Sequence, residues 1–217
     1  MARLWTQTIQ RILLRARAYA HGGAFLLAAK PSMAHLRVNH RVKYHRVASL
    51  LALAASSWFV RQNVYDSVQH EFIETGSDAI PVDRYYDESI AAADNRDADR
   101  ALSDAVGFVA LLSRVDGLVL MDHDLRVLGF GAEITAPDTD VKVVTARTGR
   151  STTGRQLALE RFGTRHRSMF RYCAAHPGSV GFVISADGPV RAVLRHRDRV
   201  LMWDNVRLRP SGIDEVA

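Results

Sequence analysis

Two stretches of the chain carry side chains that could do chemistry on a phosphate. The first is Arg161-Phe-Gly-Thr-Arg-His-Arg-Ser168. Thr164 is predicted to cap a helix, because Met169, Phe170, Tyr172 and Cys173 follow it at helical spacing. The start of a helix offers unpaired N–H groups and a positive dipole end, which suit an anion. Arg165 and Arg167 would add charge-assisted donors there, and His166 a ring able to bind a metal or carry a proton. The second stretch is Asp116-Gly117, at a predicted helix-to-strand junction. A carboxylate on such a turn could hold Mg²⁺ against phosphates or activate a ribose hydroxyl. Each stretch has a plainer reading, as a basic helix start and as a common turn dipeptide. Arg195-His196-Arg197 repeats the tripeptide in a predicted hairpin turn, so the tripeptide alone carries little weight. The Gly163-Thr164 turn and the helix behind it are what favour the first copy.

Other patterns are weaker. Gly149-Arg-Ser-Thr-Thr-Gly-Arg-Gln156 has the glycine spacing of a P-loop, but Arg155 stands in place of the lysine and Gln156 in place of the Ser or Thr. Gly129-Phe-Gly131 lacks a third glycine and falls within a hairpin, which argues against a Rossmann site. No HExxH or paired-cysteine signature is present. Ser185, Asp187 and His166 are too generic for a hydrolase triad, and His35, His40 and His45 read as surface or structural residues.

These residues need elements to position them. Residues 4–19 read as a basic amphipathic helix, with Ile9, Ile12, Leu13 and Ala16 on one face. Strands are expected at 24–29, 36–44, 118–121, 126–134, 141–145, 180–185, 190–194 and 200–203. Helical spacing runs over 44–72, in one long or two broken helices, and over 101–112, 152–161 and 164–175. The Asp-rich segment 76–99, with Pro81 inside it, reads as a polar loop or insertion. The expected architecture is mixed α/β (or α+β), a central mixed sheet flanked by helices in a single domain of residues 1–217.

The 217 residues carry a net charge of +6, unevenly spread. Residues 1–65 hold ten Lys or Arg and no Asp or Glu; the remainder is acidic on balance. Such a segment could meet nucleic acid, an anionic membrane or a ligand's phosphates, or be a solvated helical face. The apolar run 48–60 is too short to span a bilayer and contains serines, so a buried helix is expected. The single cysteine, Cys173, permits no intramolecular disulfide and points to a reducing, cytoplasmic setting.

Taken in order, Val115-Asp-Gly-Leu118, Gly163-Thr-Arg-His-Arg-Ser168 and Val180-Gly-Phe-Val-Ile-Ser185 resemble the motifs of the diadenylate cyclase domain family. That family carries Asp-Gly-Ala and Thr-Arg-His-Arg on two sides of a nucleotide pocket, followed by a strand ending in Ser-Glu-Glu. The resemblance covers roughly residues 20–205. It implies a mixed sheet flanked by helices, ATP as ligand, Mg²⁺ or Mn²⁺, and a face-to-face homodimer that makes cyclic di-AMP. By position it implies that Asp116 is the metal-binding acid acting on the 3′-hydroxyl, with His166 as second metal and catalytic residue. Gly117 and Leu118 would lie against the nucleotide; Gly163, Thr164, Arg165, Arg167 and Ser168 would hold phosphate, with Ser185 nearby. The chain departs from the family at Leu118, at Ser168-Met169 and at Ser185-Ala186-Asp187, where one carboxylate replaces two. These departures suggest a nucleotide or cyclic-dinucleotide sensor of the divergent branch. An active cyclase, or a DNA- or membrane-binding module using residues 1–65, are the alternatives.

Overall fold

A computed structural model of the chain describes residues 2–77, 79–137, 140–149, 154–186 and 188–209. Two compact units share it, one holding Met1–Thr8 and Arg46–Val106, the other Ile9–His45 and Gly107–Ala217.

The second unit contains eight strands: β1 (Gly23–Leu27), β2 (Leu36–Tyr44), β3 (Leu118–Met121), β4 (Val127–Ile134), β5 (Val143–Thr145), β6 (Val180–Ile184), β7 (Val190–His196) and β8 (Arg199–Trp203). They form one mixed sheet in the order β2-β4-β3-β1-β6-β7-β8-β5. The β1–β3 and β5–β8 pairs are parallel and the other neighbours antiparallel. The uninterrupted apolar sequence of β1 follows from its central place, since all five residues are buried. Edge strand β2 exposes Arg37, Asn39, Arg41 and Lys43, a charged edge that discourages pairing with another chain. The sequence-based mixed α/β architecture is therefore observed.

Helix α4 (Thr164–Ala175) lies on this sheet and fixes the Arg165 stretch in space. Met169, Phe170, Tyr172 and Cys173 are wholly buried against Leu26, Leu120, Val183, Val193 and Met202. Burial of each large side chain contributes about 1.5–3 kcal/mol, so the helix start cannot drift from the strand ends. Gly181 makes the approach possible, because a Cβ there would collide with Met169 Sδ.

In the first unit, α2 (Arg46–Val68) continues through a π-helical turn, Gln69–Ile73. Asn95 donates to Ser57 Oγ at 3.2 Å and Arg84 to Ser67 Oγ at 2.8 Å, so α2 and α3 (Val82–Leu112) run antiparallel. Helix α1 (Ala2–Ala18) opens the chain as expected and buries Ile9, Ile12, Leu13 and Ala16.

Four expectations are corrected. Most of segment 76–99 is helix, because Ala91, Ala92, Asn95, Ala98 and Leu102 recur at helical spacing and are buried while Asp83, Asp87, Asp94 and Asp97 face solvent. The apolar run 48–60 is helical but not a buried helix; Leu53, Trp58, Phe59 and Val60 are exposed, and within the run only Leu51 and Ala54 are buried. No helix among the described residues is long and apolar enough to cross a membrane. Segment 152–161 is not a helix where it is described. Residues 154–157 run extended beside β5, with Gln156 bridged to Val144, and only a 3-10 turn, Leu159–Arg161, follows. Finally, Gly163, not Thr164, caps α4, with its carbonyl accepting the amides of His166 and Arg167 at 3.1 Å each.

Candidate functional site

A cleft of about 360 Å³ opens where the turn before β3 meets the first turn of α4. Its volume lies at the small end of the roughly 300–1,000 Å³ typical of ligand pockets. Asp116, Gly117 and Leu118 line one wall, and Thr164, Arg165 and Ser168 another. Arg165 Nη2 is 3.6 Å from Asp116 Oδ1, so two motifs nearly fifty residues apart in sequence meet directly. The Asp116 side chain is fully exposed and also accepts the Gly117 amide at 2.9 Å. As an exposed ion pair it adds little to stability. It is free to exchange Arg165 for a ligand.

Local sequence explains this placement. Gly117 has φ 107°, a backbone that side-chain-bearing residues rarely adopt. A Cβ there would lie 2.6 Å from the Gly131 carbonyl carbon and 2.8 Å from the Ala132 oxygen. The glycine is thus required by β4 itself, whatever occupies the cleft. Gly22, at φ 70°, does similar work beneath Arg165: a Cβ would meet Ile184 O at 3.2 Å and Arg165 Nη1 at 3.4 Å. Ser168 Oγ donates to the Arg165 carbonyl at 3.1 Å and ties the first turn together. The amides of Thr164 and Arg165 precede the i→i−4 ladder of the helix and are the donors an anion would use.

The remaining residues singled out from sequence lie elsewhere. His166 does not line this cleft. Its Nε2 faces Arg191 Nη1 at 3.2 Å, and its ring packs near Phe162 and Phe170. Burial first, then the charges of Arg191 and Arg165, bring its pKa down from 6.5 to about 4, so the ring is neutral near pH 7. Ser185 Oγ accepts from Arg191 Nη1 at 2.8 Å, and Arg191 Nε donates to Asp204 at 2.6 Å. Arg167 is half-buried, with no hydrogen-bond partner for its buried Nε among the described residues. Asp187 lies outside the described residues. The structure thus divides the Arg-His-Arg run, with Arg165 on the Asp116 side and His166 on the Arg191–Ser185–Asp204 side.

Sequence reasoning missed Glu133, Arg191 and Asp204. Glu133 lines the Asp116 cleft and is held by Arg37 at 3.0 Å and Asn39 at 3.3 Å across the β2–β4 pair. No local motif marks any of the three; strand pairing alone brings them in. Asp116 and Glu133 are hard oxygen donors of the kind Mg²⁺ or Mn²⁺ takes, whereas His166 is turned to Arg191. Among the described residues, no group of three or more His, Cys, Asp or Glu is placed to hold a metal.

The basic excess of residues 1–65 is also divided. Arg11 is buried and Arg37 is paired with Glu133. His35 contacts His176 at 2.9 Å and His40 stacks on Phe130, both structural roles. Compared with protein-family models, with curated proteins and with solved structures, the chain finds no match.

Proposed function

We propose that the Asp116–Arg165 cleft binds the phosphate of a nucleotide, ATP or a cyclic dinucleotide such as cyclic di-AMP, and that the chain acts as a sensor of that ligand. The observation that carries this reading is the 3.6 Å approach of Asp116 and Arg165 over a cleft that opens at the start of α4. Arg165 and the Thr164 and Arg165 amides supply donors for phosphate oxygens. Leu118 and the half-buried Ile134 supply an apolar wall for a base. Asp116 and Glu133 would hold a divalent cation, whose chemistry there is to neutralise phosphate charge. The order of the motifs, similar to that of diadenylate cyclase domains, supports the same ligand class.

Binding without turnover is favoured by the Ser185 end of β6. Its hydroxyl is engaged by Arg191, and Ala186 follows where the family has an acid. The test is calorimetric titration of the protein with ATP and with cyclic di-AMP in the presence of Mg²⁺; heat with neither ligand sinks the proposal.

A second reading, an active cyclase working as a face-to-face dimer, draws on the fully exposed Asp116 carboxylate at the cleft. It requires cyclic di-AMP to form from ATP and Mn²⁺ and to disappear in Asp116→Asn. Absence of product at high protein concentration rules this reading out.

A further inference from the structure

A different cleft, of about 260 Å³, opens beside edge strand β5, the extended residues 154–157 and the turn that follows them. Three arginines, Arg155, Arg161 and Arg191, and one acid, Asp204, are among the residues that line it. Asp204 is already engaged by Arg191 at 2.6 Å. Arg155 and Arg161 are exposed and have no side-chain hydrogen bond or ion pair among the described residues. Two positive charges are therefore left over around one concavity. A concave wall of one sign focuses the field and raises the local concentration of counter-charge. Guanidinium forks match phosphate oxygens two at a time.

The fold holds these groups in place. Residue 155 is drawn onto β5 by main-chain bonds on both sides: Thr145 N to Arg155 O at 3.0 Å and Leu157 N to Val143 O at 2.9 Å. The Arg155 amide also donates to Thr145 Oγ1 at 3.2 Å. A Cβ on Gly154 would overlap the Thr145 carbonyl, so only glycine lets the backbone come this close. Residues 154–157, the described end of the stretch unsuited to a P-loop, thus deliver Arg155 to the cleft as an added extended segment. Phe162 forms a fixed aromatic wall, edge-on to Phe170 at 5.2 Å and 89°.

We propose that this cleft is a second anion site, which takes a phosphate monoester or diphosphate group through Arg155, Arg161 and Arg191. It stands on its own residues and does not rest on the reading of the Asp116 cleft. Inorganic pyrophosphate is the probe, titrated by calorimetry into the wild type, Arg155→Gln/Arg161→Gln, Arg165→Gln and the charge-matched control Arg41→Gln/Lys43→Gln. Both members of each pair are exposed, and circular dichroism checks that each variant folds. The expected result is a binding event weakened about tenfold or more in Arg155→Gln/Arg161→Gln, changed by less than about twofold in the charge-matched control and still present in Arg165→Gln. Three results would each overturn the proposal: no binding by the wild type, unchanged binding in Arg155→Gln/Arg161→Gln, or equal weakening in the charge-matched control. An event lost only in Arg165→Gln would assign the pyrophosphate to the Asp116 cleft instead.

Discussion

Gly117→Ala separates what the fold demands from what a ligand demands. If the glycine serves only to let a nucleotide approach, alanine should leave stability unchanged. The structure says otherwise, because the residue sits at φ 107° and its added Cβ meets the β4 backbone at 2.6–2.9 Å. A side-chain-bearing residue held in so sparse a region costs about 1–3 kcal/mol. Overpacking against neighbours that cannot step aside adds about 1–3 kcal/mol. Backbone is such a neighbour. A loss on the order of 4 kcal/mol, the middle of the summed range, lowers Tm by about 8–16 °C for a chain of this size. Thermal unfolding followed by circular dichroism reads this directly. Gly163→Ala is the internal comparison: φ is −66° and nothing lies within 4 Å of an added Cβ, so Tm should stay within about 2 °C. Equal Tm values for wild type and Gly117→Ala would refute the argument.

Other consequences concern buried groups. His166 should titrate near 4 by NMR, and Arg191→Met should raise that value, since Arg191 is the leading charge holding it down after burial itself. Because the folded pKa lies below the unfolded 6.5, the unfolded chain takes up the proton first. The stabilisation from His166 is therefore present above pH 6.5 and lost as pH falls toward 4; a titration near 6.5 would contradict this. Cys173 is wholly buried and burial pushes its thiol up to about 12, so a thiol reagent should label it only after denaturant is added. Rapid labelling of the native protein would show that α4 does not stay seated on the sheet.

The sequence made some of this legible for definite reasons. Leu118–Met121 and the 164–175 helix stood out because their apolar spacing is strong and their ends carry glycine turns. The 101–112 end of helix α3 stood out in the same way, through Leu102, Val106 and Val109, but its first part, residues 82–99, did not. The buried residues there are small (Ala91, Ala92, Asn95, Ala98), so the periodicity is faint beneath a conspicuous run of aspartates. Residues 154–157 misled in the opposite sense, because what holds them is main-chain pairing to β5, which leaves no side-chain signature. The Asp116–Arg165 meeting could be anticipated from motif order. The Arg191–His166–Ser185 contacts could not, because Arg191 reaches them through the register of β6 against β7.

The chain offers its own control for the central claim, since Arg-His-Arg occurs twice. Arg165 lines the cleft beside Asp116, whereas Arg197 occupies a hairpin turn at φ 56°. Calorimetric titration of ATP and cyclic di-AMP into wild type, Arg165→Gln and Arg197→Gln compares the two copies. At least one ligand is expected to bind wild type and Arg197→Gln alike and to bind Arg165→Gln about tenfold or more weakly. Binding that survives Arg165→Gln unchanged, or falls equally in both variants, would contradict it.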